Sequence, residues 1–249
     1  MPEASPTLRV CALYPDLMNI YADRGNLIVL ERRCSWRGIG FQLTPCGLGE
    51  RLHPDAHDLF YIGGGQDRDQ RLCAADLIEL KGDSLRAAAA RGAVVLGVCG
   101  GYQLLGRSYT LEDEQIDGLG ILDLVTVREH GPRLIGNVAI EVQGLAGVPD
   151  GTVLAGFENH GGRTRLSAGQ PPLGRVLKGY GNDGRSGMEG AVAGNTIGTY
   201  LHGPLLPKNV WFADWLIVTA LGLGPEELSP LQDELESRTH AGALRAAGV

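Results

Sequence analysis

Residues 94–105 read VVLGVCGGYQLL, and no other stretch constrains the fold as strongly. The run at 93–98 carries no polar side chain, as expected of a central parallel strand covered on both faces. It breaks at Gly97-Val98-Cys99-Gly100-Gly101, and a helix begins at 102–105. Strand, glycine-framed turn and helix make the layout of a nucleophile elbow. Small flanking residues let a strained turn lift the middle side chain above the sheet. Cys99 then stands at a helix N-terminus, where the dipole and free N–H groups favour thiolate. The Gly100 N–H is the first candidate to hold a tetrahedral oxyanion. The competing reading is a buried structural cysteine beside a glycine turn.

The elements around this segment follow one rhythm. Strands are predicted at 8–13, 41–44, 58–62 and 93–98, alternating with helices at 26–37 and 69–91. Such alternation with short Gly-rich turns predicts an α/β fold: an open, mostly parallel twisted sheet flanked by helices. Beyond about residue 110 the strands shorten, at 122–127, 137–142, 153–154, 173–178, 191–193 and 196–200. Helices close the chain at 208–221 and within 229–247. No linker rich in Pro, Ser or charge divides it, so 1–249 reads as a single domain.

Composition removes several function classes. With 22 Lys+Arg against 29 Asp+Glu, the net charge of −7 and the lack of a basic cluster argue against nucleic acid as the main partner. The longest apolar stretch, 215–223, is too short to span a bilayer. The start, MPEASPTLRV, shows no secretory signal pattern. Five cysteines without CxxC spacing suit a reducing, cytoplasmic compartment, and no metal-binding spacing appears among the six histidines.

Two further segments carry chemistry. The 58–62 strand runs into Gly63-Gly64-Gly65-Gln66-Asp67, exposing backbone N–H groups at the carboxyl edge of the sheet, where open α/β folds place ligands. Gly64 or Gly65 is placed to give the second oxyanion donor across from Cys99. The segment TIGTYLHGP at 196–204 delivers His202 at a strand end. A thiol nucleophile needs an imidazole to take its proton and return it to the leaving amine. His53, His57 and His240 read as surface residues; His130 and His160 are harder to dismiss, but neither follows an apolar strand.

Together GGGQD (63–67), GVCGGYQ (97–103) and TYLHGP (199–204) resemble the class I glutamine amidotransferases, in the cobyric acid synthase-like branch. The resemblance implies that Cys99 attacks the side-chain amide of L-glutamine with His202 as base. The usual triad places a Glu two residues after the His, where this chain has Pro204. Glu158, Asp214 or a residue of a partner subunit is left for that place.

LYPDLMNIYADRGN (13–26), RLIGN (133–137) and FENHGGRT (157–164) resemble more closely the small, glutaminase subunits of lipid II isoglutaminyl synthases. By that resemblance Arg133 holds the glutamine α-carboxylate with its two-pronged fork, and Gln103 lines the substrate pocket. The resemblance further implies a Mur ligase-like partner (MurT-type), which carries the ATP and Mg and amidates the stem peptide of lipid II. No cofactor is expected in this chain, which has no GxxxxGK[ST] phosphate loop. The roles of Glu158, Asn159 and His160 stay open between lining the site and holding a loop. A free-standing cysteine amidase or peptidase and a non-catalytic scaffold are the rival readings.

Overall fold

A computed structural model describes residues 5–20, 23–111 and 114–249. Tyr21 and Ala22 of the 13–26 motif lie outside the described residues. The first half alternates β1 (Thr7–Leu13), α1 (Arg24–Ser35), β2 (Gly40–Cys46), β3 (Leu59–Ile62), α2 (Asp67–Asp76), α3 (Gly82–Ala90), β4 (Val94–Val98) and α4 (Gly100–Leu105). Short strands follow: β5 (Ser108–Leu111), β6 (Glu114–Asp117), β7 (Leu124–Arg128), β8 (Leu134–Val142) and β9 (Val153–His160). Then come β10 (Gly162–Leu166), β11 (Gly174–Lys178), β12 (Met188–Glu189), β13 (Ala191–Ala193) and β14 (Thr196–Thr199), with α5 (Val210–Leu221) and α6 (Glu234–Ala247) closing the chain.

The main sheet has six strands in the order β13-β14-β4-β3-β1-β2, parallel throughout except at the β13–β14 pair. Every residue of β3, β4 and β14 is buried, which is why β3 and β4 show apolar runs instead of alternation. The strand order reverses direction between β1 and β3, and right-handed crossovers put α1 and α2–α3 on opposite faces. The carboxyl ends of β1, β3 and β4 therefore open a crevice at the switch point.

The expected helix at 69–91 is interrupted. Leu77–Lys81 forms a π turn that separates α2 from α3. The wider turn coincides with an inward-facing Lys81, fully buried, ion-paired with Asp76 and lying 5.0 Å from the centroid of the Tyr14 ring. The second half holds more strand than its sequence pattern suggests. It builds two four-stranded sheets, β10-β7-β5-β6 and β12-β11-β8-β9. Here FENH is the end of β9, not a loop.

Asp214 has a structural task. The buried Arg33 guanidinium donates to Asp214 at 2.5 and 2.6 Å and to Asp233 at 2.8 Å, and Arg37 adds bonds to Asp214 at 3.0 and 2.8 Å. This network ties α1 to α5 and to the residue preceding α6. Among the described residues no helix is long and apolar enough to cross a membrane.

Candidate active site

Cys99 occupies the turn between β4 and α4 at φ 52° and ψ −104°, a left-handed conformation that costs a non-glycine residue about 1–3 kcal/mol. Its neighbours enforce the turn. The Cys99 N–H donates to Thr199 O at 2.8 Å, and the Gly101 N–H donates to Gly63 O at 3.1 Å. A Cβ on Gly101 would overlap the Ile62 carbonyl oxygen, so helix α4 approaches strand β3 this closely only because residue 101 is glycine.

The glycine segment after β3 is arranged differently from the first expectation. The Gly64 N–H donates to Asp23 Oδ2 at 2.8 Å, and Gly64 O accepts from Ile20 N at 3.1 Å. With both of its polar groups taken, Gly64 has no N–H to offer an oxyanion, which corrects the expectation for that residue. Gly65 is the alternative: its nitrogen lies 3.1 Å from where a Cβ of Gly100 would stand, and it lines the same cavity as Cys99. Asp23, fully buried, is a site residue that sequence reasoning missed. Burial raises its carboxyl to about 6 against the opposing effects of the Gly64 N–H and Lys208.

Electrostatically the elbow is a resting thiol. Burial, and next the charge of Asp23, push Cys99 up to about 12, although the Gly100 N–H and Arg133 act in the other direction. Burial thus works against the thiolate that the helix N-terminus favours. Helix α4 has only six residues, and the desolvation of a buried sulfur outweighs its dipole.

His202 is fully buried three residues beyond the strand that pairs with β4, with Thr199 in register with Val98. Its backbone forms a bridge to Phe157 through bonds of 2.9 and 3.0 Å, and the Phe157 ring stands edge-on to the imidazole at 6.2 Å. Burial, followed by the charges of His160, Lys208 and Arg133, lowers its pKa to about 4, so the imidazole is neutral near pH 7. Glu189 braces the approach to it, accepting from Tyr200 N at 2.6 Å and Thr199 Oγ1 at 3.1 Å.

Neither internal candidate for a third triad member is available. Asp214 is held by Arg33 and Arg37. Glu158 accepts from Tyr180 N at 2.6 Å and Gly181 N at 2.9 Å, and its Oε2 lies 3.6 Å from His160 Nε2. Pro204 packs against Gly25. His160 stacks on Tyr200 with centroids 3.6 Å apart and planes 4° from parallel, and its Nδ1 lies 2.9 Å from Gly162 O. With one nitrogen at a carbonyl and the other toward Glu158, His160 presents no basic atom to Cys99. It lines the site as a flat wall.

A cavity of about 260 Å³ opens over the elbow, lined by Cys99, Gly65, Gln103, Arg133 and His160 among others. Arg133 donates through Nε to Asn159 Oδ1 and through Nη2 to Asn159 O, both at 2.7 Å, which fixes its fork and gives Asn159 an orienting task. Gln103 accepts from Gln70 Nε2 at 2.7 Å and donates to Tyr200 OH at 3.1 Å, so its amide is held at the wall. The structure thus gathers Cys99, Gln103 and Arg133 around one cavity; Gly100 and His202 are not among its lining residues.

Fold and elbow together define an α/β protein of the glutamine amidotransferase type, with a cysteine turn at the carboxyl edge of its parallel sheet. The chain belongs to the family of CobB/CobQ-like glutamine amidotransferase domains, whose model matches residues 9–210. It is 42% identical over 206 residues to the GatD subunit of lipid II isoglutaminyl synthase (glutamine-hydrolyzing) of Staphylococcus aureus, covering 82% of this chain and 81% of that one. The same subunit of Streptococcus pneumoniae is 37% identical over 215 residues, covering 86% and 80%. Among solved structures, PurLQS from Thermotoga maritima superposes with a TM-score of 0.58 at 21% identity, over 80% of this chain and 87% of that one, a likeness of fold.

Proposed function

We propose that this chain is the glutaminase subunit of a lipid II isoglutaminyl synthase. Cys99 Sγ attacks the amide carbon of L-glutamine, and its proton passes to the His202 imidazole. The Gly65 and Gly100 N–H groups receive the oxyanion. Collapse of the tetrahedral intermediate breaks the C–N bond, and ammonia leaves with the proton from His202. Water, deprotonated by the same imidazole, then hydrolyses the thioester to glutamate and restores the thiol.

The observation that carries this reading is the strained Cys99 turn at the wall of the cavity, in a chain whose curated relatives are named as glutamine-hydrolysing subunits. The chain contains no GxxxxGK[ST] loop with which to activate a carboxylate. ATP and Mg are therefore assigned to a Mur ligase-like partner that takes the ammonia and amidates the α-carboxyl of D-glutamate in the stem peptide of lipid II. Free ammonia is mostly protonated near pH 7, so its transfer runs along a shielded path.

The resting pair is far from matched. Burial pushes the Cys99 thiol up to about 12 and the His202 imidazole down to about 4, so both rest neutral and a wide gap opposes proton transfer between them. A carboxylate placed beside His202 by the partner would narrow this gap, because the described internal candidates are engaged elsewhere. The test is glutamate release from glutamine by the wild type and Cys99→Ala, alone and with a co-purified Mur ligase-like protein, followed by ATP-dependent amidation of lipid II. Equal glutamate release by both proteins rejects the reading.

A further inference from the structure

Resting on the glutaminase reading, we propose that Lys208 is a positioning residue for the base, its ammonium holding the turn that follows His202. Position 204, where the usual triad carries a glutamate, is proline here. What the structure brings to that turn is a cation. Lys208 Nζ donates to Pro204 O at 3.1 Å and to Gly203 O. Gly203 has φ 82°, a conformation that only glycine adopts at little cost, so the turn is a specific one. Hydrogen bonds from a charged donor are stronger than neutral ones. His202 itself is fastened to Phe157 by its backbone bridge, and Lys208 fastens the two residues after it.

The lysine stands on a rigid base. It closes a single 3-10 turn, Leu206–Lys208. The Leu206 N–H donates to Asn26 Oδ1 of α1 at 2.8 Å. Asn209, the next residue, accepts from Ala155 N of β9 at 2.8 Å and donates to Ala155 O at 2.7 Å. His240 Nδ1 of α6 lies 2.8 Å from Lys208 O. Three elements thus fix the stem from which the ammonium reaches back to the turn. Burial disfavours that charge, and the buried Asp23 carboxylate offsets part of the effect. The imidazole in turn meets charge from His160 of β9, from Lys208 and from Arg133 ahead of β8, all of which disfavour its protonation. Lys208 therefore does two separable things: it places the base and holds down its basicity.

The full chain is assayed for glutamate release, with and without the Mur ligase-like protein. The His202 ring is followed by NMR of isotope-labelled histidine, its signal assigned by loss in His202→Asn. Lys208→Met removes both donor and charge. Its kcat is expected to fall roughly tenfold with KM about unchanged, and His202 should titrate about half a pH unit higher. Lys208→Arg restores donor and charge, so it should recover most of the kcat and the titration of the wild type. Lys208→Gln keeps a donor without the charge. It should raise the titration as Lys208→Met does, with a smaller loss of kcat, and it takes the place of Lys208→Met if that variant fails to fold.

An unchanged kcat in Lys208→Met and Lys208→Gln, a KM that rises in step with the fall in kcat, or a His202 titration that ignores the charge at 208 overturns the inference. No glutamate release by the wild type, with His202 still answering to that charge, would instead overturn the glutaminase reading and leave the hold of Lys208 on the His202 turn intact.

Discussion

Asp23 and Gly64 are joined by a single hydrogen bond, Gly64 N–H to Oδ2 at 2.8 Å, while Asp23 Oδ1 is buried with no hydrogen-bond partner among the described residues. One oxygen of a buried carboxylate thus tethers the glycine segment. Asp23→Ala would leave a buried N–H unsatisfied, a cost of about 1–3 kcal/mol. Steady-state kinetics should show glutamate release falling roughly tenfold in kcat with little change in KM. Asp23→Asn keeps an acceptor for Gly64 and should lose less. Equal losses in the two variants would assign the effect to charge instead of the tether.

The buried thiol sets a second expectation. With Cys99 near 12, the thiolate fraction climbs about tenfold per pH unit throughout the neutral range. Iodoacetamide modification of Cys99, followed by peptide mass spectrometry, should accelerate from pH 7 to pH 10 without levelling off. A plateau near pH 7 would contradict the burial argument. For the base the sign runs the other way: protonation removes it. Glutaminase activity of the chain alone should therefore fall only as pH drops through about 4, the pKa of His202.

Asp214→Asn addresses the lock between helices. It leaves the buried Arg33 with Asp233 as its remaining carboxylate partner. Breaking a buried pair costs about 3–5 kcal/mol, and the lower end applies because Asp233 persists. Thermal denaturation should show a Tm lower by about 6–12 °C, with the KM for glutamine unchanged. An unchanged Tm would deny the network its structural weight.

Glu189 predicts a pH-dependent stability. Burial raises its carboxyl from 4.5 to about 8, so the folded chain binds the proton more tightly than the unfolded one. This contribution to stability is complete below about pH 4.5 and is lost as pH rises through about 8, amounting to a few kcal/mol. Glu189→Gln removes the dependence. Denaturant melts at pH 5 and pH 8 should show a smaller fall for the variant, with the opposing slope from His202 common to both proteins. Parallel falls would refute the assignment.

What the sequence revealed depended on how local the cause was. The Cys99 elbow was legible because strand, glycines and helix are contiguous and each must be what it is. The main sheet was legible because β3 and β4 are buried on both faces and show it in their composition. Strand β6, with the sequence EQID and largely exposed, carries no such mark; its pairing comes from β5. The orientation of the Gly64 peptide was hidden because Asp23, 41 residues away, decides it and three identical glycines do not.

Strands β4 and β14 lie side by side, and the bond from Cys99 N to Thr199 O continues their ladder one step past its end. The nucleophile thus follows directly on one of two adjacent staves of the sheet, and the base comes three residues after the end of the other. Cys99 inherits the stiffness of that framework, while His202 is fastened by its backbone bridge to Phe157 of β9. Regulation by a second subunit would then act on the charge around the imidazole more readily than on its distance from the sulfur.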